Sequence, residues 1–166
     1  MNTKNFVKRI VICGSISSYS EFIRIQRILR ESDILSLIPT DDEEIKNRIS
    51  EEMFQDYKRK ASFDHIKKIR DPRTFGILAV NFNKYDILHY IGPNTFAEVA
   101  VAFAQSKRIY LLNGIPNVYE DELLAWRVIP LFGDLQQLID DFHQNYLREA
   151  SQLQLFDKFS KKEPSE

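Results

Sequence analysis

Seven residues, Gly76-Ile77-Leu78-Ala79-Val80-Asn81-Phe82, run without a charge and stop at a polar loop, Asn83 to Tyr90. A short uncharged run bounded by turn residues is a strand buried on both faces, and such strands belong to parallel sheets covered by helices. A Gly-Pro-Asn-Thr turn follows at Gly92 to Thr95, then an apolar helix opening at Phe96-Ala97-Glu98-Val99-Ala100, then a second apolar run, Arg108 to Asn113. This is a strand, helix, strand unit whose polar residues gather where the first strand ends and the helix begins. Open α/β sheets hold their ligands at such junctions.

The rest of the chain repeats the alternation. Val7 to Cys13 is rich in β-branched residues and gives way to Gly14-Ser15-Ile16-Ser17-Ser18. From Tyr19 to Arg30 the apolar residues Phe22, Ile23, Ile25, Ile28 and Leu29 recur at helical spacing, with Ser18 or Ser20 in place to cap. Ile34 to Ile38 reads as a second strand ended by Pro39, and Asp41 to Arg70 as one long charged helix or two shorter ones, stopped at Asp71-Pro72. A short helix from Val118 to Trp126, a proline-containing edge strand at Arg127 to Phe132 and a last amphipathic helix from Leu135 to Phe156 complete the order. Alternation of this kind predicts an α/β three-layer sandwich around a mostly parallel five-stranded sheet. A single domain over 1–157 and a polar tail over 158–166 are expected.

With 166 residues, 43% of them hydrophobic, the chain is long enough for one ordinary core without disulfides or metals. A net charge of −1 leaves no footprint for a nucleic acid polymer or an anionic membrane surface. One cysteine, Cys13, excludes an internal disulfide and fits a reducing compartment; no apolar run reaches the roughly 18 residues of a membrane span. A soluble, cytoplasmic protein is the expectation.

In a parallel sheet the loops behind the strands share one edge, which pools Gly14, Ser15 and Ser17 with Asn81, Asp86, Tyr90, Gly92, Asn94, Glu98 and Asn113. The serines and free backbone N–H groups suit a phosphate or a sugar hydroxyl, or they serve only to cap the first helix. Glu98 sits in an otherwise apolar helix, read as its first turn, so it either serves the helix dipole or faces a site. Cys13 reads as a buried thiol with no evident base partner. His65, His89 and His143 are too dispersed for a metal signature, and neither metal nor cofactor is expected. Trp126, Phe142, Tyr146, Phe156 and Phe159 are expected to pack in the core or against another copy.

Three stretches, Cys13 to Ser17, Tyr90 to Glu98 and Lys107 to Asn113 followed by Ile115-Pro116, together resemble the nucleoside 2-deoxyribosyltransferase-like superfamily, which includes deoxyribonucleoside 5′-monophosphate N-glycosidases. The resemblance covers roughly residues 8 to 134 and is nearest the uncharacterised bacterial branch. It implies a flavodoxin-like (Rossmann-like) fold, a nucleoside or nucleotide as small-molecule partner, and a homo-oligomer, a dimer or larger. It also implies that Glu98 attacks the anomeric carbon and that Asp64 fills a sugar-binding carboxylate role; by residue pattern Asp64 is equally a solvated helix residue among lysines. The family's aspartate ahead of the nucleophile is replaced here by Gly92 or Asn94, with Asp86 and Tyr90 as stand-ins from the loop.

Three functions fit these residues: cleavage or transfer at the N-glycosidic bond of a 2′-deoxynucleoside or its 5′-monophosphate, a non-catalytic nucleotide-binding module, and an accessory subunit whose charged helix serves an interface. A second carboxylate about 5–5.5 Å from Glu98 distinguishes the first from the second.

Overall fold

The structure, a computed structural model, describes residues 7–40 and 48–160. Strands β1 (Arg9–Gly14), β2 (Leu35–Leu37), β3 (Thr74–Val80), β4 (Arg108–Leu111) and β5 (Ile129–Pro130) form one sheet in the order β2-β1-β3-β4-β5, and every pairing is parallel. The helices are α1 (Tyr19–Glu31), α2 (Glu51–Arg70), α3 (Pro93–Ala104), α4 (Glu120–Ala125) and α5 (Gln136–Ser160). This is the three-layer arrangement expected from the alternation, and it is flavodoxin-like, as the resemblance implied.

Strict alternation along the central strands builds two cores. Ile10 and Ile12 of β1, Leu78 and Val80 of β3 and Tyr110 of β4 face α1 and α5, where Phe22, Ile25, Leu29, Leu138 and Phe142 close over them. Val11 and Cys13, Ile77 and Ala79, Ile109 and Leu111 point the other way, against Ile69 of α2, Val99 and Ala102 of α3 and Leu123 of α4. Each fully buried side chain of this size stabilises by roughly 1.5–3 kcal/mol, so both helix layers are needed.

Element edges show where local rules are overridden. Helix α2 starts with Ser50 as N-cap, its hydroxyl accepting from the Met53 N–H at 3.3 Å. The reading that a helix starts at Asp41 falls on 41–47, outside the described residues. Ser18 stands at the N-cap of α1 but makes no capping bond; Ser20 lies inside the helix, and Ser15 and Ser17 hydrogen-bond each other, Oγ to Oγ at 2.8 Å. β5 is confined to Ile129 and Pro130 at the sheet edge, where a missing N–H costs no ladder bond. Trp126 stacks within the chain on Phe96 and Phe103, with ring centroids at 5.4 and 5.1 Å. Phe142 is core; the side chains of Phe156 and Phe159 lie outside the described set.

At the carboxyl edge the sheet is tied by one side chain. Asn81, fully buried just past β3, donates from Nδ2 to the carbonyls of Gly114 (2.8 Å) and His89 (3.1 Å), and its Oδ1 accepts from the Asn113 N–H (2.9 Å). Asn113 returns a bond, Nδ2 to the Asn81 carbonyl at 2.8 Å. The clamp holds the loop after β3 to the loop after β4. Asn81→Ala removes the partner of three backbone groups, one buried and two partly buried, so a urea melt at neutral pH is expected to show a loss of about 3 kcal/mol, and a loss below about 1 kcal/mol would contradict the clamp.

Candidate functional site

With strand order 2-1-3-4-5, connections leave β1 and β3 toward opposite faces, and the crevice between their carboxyl ends is where such sheets take ligands. Cys13 pairs with Ala79 and Gly14 with Val80 at that point. Gly14 has φ +154, and a Cβ there would lie 3.1 Å from the Phe22 ring and 3.2 Å from the Val80 carbonyl oxygen, so the strand end accepts no side chain.

Three side chains from three elements converge on the face covered by α2 and α3. Cys13 comes from the end of β1, His65 from the middle of α2, and Glu98 from α3. Sγ of Cys13 is 3.6 Å from Nε2 of His65, and that nitrogen is 3.8 Å from Oε1 of Glu98. One ligating atom from each of the three lies within 4.8 Å of the other two. Helix α3 starts earlier than the turn at Gly92 to Thr95 suggests: Gly92 is its N-cap and Pro93 its first residue. Glu98 therefore sits in the second turn, beyond the reach of the dipole effect, with its side chain only 16% exposed.

Burial dominates the electrostatics of all three. Loss of solvent pushes the Glu98 carboxyl up to about 7, and the Cys13 thiol, hydrogen-bonded to it, pulls back only in part; no cation or second carboxylate is among the groups that set its titration. Desolvation also lowers His65 to about 4, with the Lys68 charge adding to it and the Ile12 backbone opposing. His65 Nδ1 nonetheless has no hydrogen-bond partner within bonding geometry. Burial, and then the adjacent Glu98, raise the Cys13 thiol well above its usual value. At neutral pH this is a neutral thiol beside a neutral imidazole, which does not make a thiolate nucleophile.

Other residues expected at the site are distributed along its rim or away from it. Asp64 is not brought to Glu98: its side chain is 51% exposed and reaches Lys67 Nζ at 3.7 Å. The phase of α2 explains this, since Ala61, His65 and Ile69 follow at i, i+4 toward the sheet and Asp64 is turned outward. Asn81 is spent on the clamp, and Asn113 is half-buried within it. Ser15 and Ser17 are exposed at the end of β1. Asp86 is exposed on the loop, Tyr90 packs edge-on against Tyr85 at 5.4 Å, and Asn94 is exposed in the first turn of α3.

That loop is strained. Lys84 and Ile87 exchange both backbone hydrogen bonds, at 3.1 and 3.0 Å, around Tyr85 and Asp86, which have φ of 52 and 56°, and His89 follows at 55°. Left-handed non-glycine residues grouped this closely are uncommon and concentrate at functional sites. Phe82, Tyr85 and Leu88 are exposed along it.

Two surface cavities, of about 550 and 510 Å³, open elsewhere: one at the amino ends of β3 and β4 between Thr74, Lys107 and Trp126, the other between β4 and α5 beside Asp141. Neither contains Glu98. The chemistry is carried by the convergence of buried polar groups, not by cavity size. No helix among the described residues is long and apolar enough to cross a membrane.

No protein family and no curated protein matches the chain. Among solved structures, the CMP N-glycosidase BcmB of Clostridium botulinum is similar to it at 21% sequence identity, covering 63% of this chain and 70% of that one, with a TM-score of 0.35.

Since the folded state holds the Glu98 proton up to about pH 7 and the unfolded chain releases it near 4.5, this group costs stability as pH rises through that window. The full cost, reached above pH 7, is about 3 kcal/mol. Glu98→Gln is expected to be more stable than the parent at pH 8 and close to it at pH 4; parallel urea melts at the two pH values would show otherwise if the difference did not change.

Proposed function

We propose that the chain cleaves or transfers at the N-glycosidic bond of a 2′-deoxynucleoside or its 5′-monophosphate, with Glu98 as the attacking carboxylate. The observation that carries this reading is a mostly buried carboxyl with no cationic partner setting its charge, held beside Cys13 at the carboxyl end of β1. Such a charge is costly until a positive one arrives. Departure of a nucleobase leaves a sugar with oxocarbenium character, and an under-solvated carboxylate is stabilised more by that cation than by the neutral substrate.

In the first step a Glu98 oxygen bonds to C1′ while the C1′–N bond breaks, the electron pair leaving with the base, which takes a proton from solvent. In the second step water attacks C1′ of the ester, releases the sugar and restores the carboxylate; a second base in place of water gives transfer instead. In this reading Ser15 and Ser17, exposed residues whose hydroxyls bond each other, take a sugar hydroxyl or a 5′-phosphate. His65, neutral beside the carboxyl, leaves its charge uncompensated.

A second reading, a module that binds the nucleotide without cleaving it, is favoured by one observation. The neighbours of Glu98 are a thiol and an imidazole, and the Asp64 carboxylate is turned to Lys67.

Incubation with deoxynucleosides and their monophosphates, followed by chromatography of free base, is expected to show release. Glu98→Gln should reduce the rate by about 10³-fold or more at unchanged fold, as loss of a nucleophile does. Ligand binding without release from any member of the panel would instead establish the binding module.

A further inference from the structure

We infer that Cys13, His65 and Glu98 form a three-ligand site for a borderline divalent cation of the Zn²⁺ class, open on the side where Glu98 meets solvent. The donors are one sulfur, one imidazole nitrogen and one carboxylate oxygen, the ligand types zinc takes in three-residue sites that keep a fourth position free. Their spacing fits. Zinc bonds of about 2.3 Å to sulfur and 2.0–2.1 Å to nitrogen and oxygen, set tetrahedrally, put sulfur and nitrogen about 3.6 Å apart and nitrogen and oxygen about 3.4 Å apart. The observed separations are 3.6 Å between Sγ and Nε2 and 3.8 Å between Nε2 and Oε1, and all three ligating atoms lie within 4.8 Å of one another, so a shift of the Glu98 side chain toward the other two donors completes the set.

The bland alternative is a core histidine that happens to touch a thiol. A core histidine, however, is buried with its ring nitrogens satisfied. His65 is 5% exposed, and its Nε2 meets the thiol and the carboxylate. Nothing in the surrounding apolar layer of Ile69, Val99 and Ala102 accounts for a polar ring there. Hard cations are disfavoured, because Mg²⁺ and Ca²⁺ require six or more oxygen donors and two of the three donors here are not oxygen. The three histidines are dispersed in sequence, yet folding brings one of them to the single cysteine and to Glu98.

Binding replaces the thiol proton, released to solvent, with the cation, and occupies the carboxyl that the proposed glycosyl transfer uses. The site would therefore be inhibitory to that reaction, but it stands on its own geometry and does not rest on the reaction.

The test is titration of the tag-free, reduced full-length chain with Co²⁺, followed by absorption, and competition by Zn²⁺. One cation per chain is expected, with a thiolate-to-cobalt charge-transfer band and the intense visible bands of a tetrahedral centre, both erased by Zn²⁺. Cys13→Ala should abolish the charge-transfer band, and Glu98→Gln should weaken affinity about 10-fold or more while leaving that band in place. Absence of a thiolate band in the folded parent chain, or Co²⁺ spectra unchanged in both variants, would overturn the proposal. Base release without cation binding removes only this site, whereas cation binding together with no base release from the metal-free chain removes only the glycosidase reading.

Discussion

β1 and β3 are enclosed on all four sides: each is hydrogen-bonded to a neighbour at both edges and covered by helices on both faces. Little solvent reaches them, so any polar atom carried there must be satisfied by protein or tolerated at a cost. Along the strands the backbone ladder satisfies everything. Where the strands end it cannot, and several unusual features gather at that carboxyl edge: the Asn81 clamp, the Gly14 strand end, the left-handed residues of the loop after β3, and Glu98 with its two uncharged neighbours.

The same enclosure separates two kinds of polar residue. Asn81 is as buried as a core leucine and makes bonds from both ends of its amide, so it rigidifies without reacting. Glu98 is less buried and less satisfied, and its carboxyl is held well above the usual carboxylate range. Structural residues spend their bonding capacity within the fold; a residue left with capacity in a dry place is one that a ligand can complete. The trio around Glu98 is of the second kind, and both proposals follow from its unspent donors and acceptors.

The sheet was legible because fully buried strands have no solvent face to preserve, so Ile10 to Cys13 and Ile77 to Val80 appear as unbroken apolar runs. Glu98 was legible for a related reason: a carboxylate between Phe96 and Val99 has no polar stripe to belong to. Its turn was misjudged because Asn94 and Thr95 look like caps, whereas the helix begins on Gly92-Pro93. His65 was hidden by composition. Its neighbours Asp64, Lys67 and Lys68 make the segment read as a solvated face, and only the i, i+4 phase Ala61, His65, Ile69 marks it as inward. Asp64 is one residue away, a step of about 100° around the helix, and its side chain is turned to Lys67. The site itself needs long-range pairing of β1, α2 and α3, which no local pattern encodes.

Gly114 sits behind the clamp, where a Cβ would come within 2.7 Å of the His89 ring. The ring fills the volume that a methyl group would take, so the missing methyl acts as a gauge, fixing how closely the loop after β3 rides over the loop after β4. Because that loop carries Asp86, Tyr90 and its exposed aromatic side, a single hydrogen atom in place of a side chain sets how near those residues lie to the end of β4.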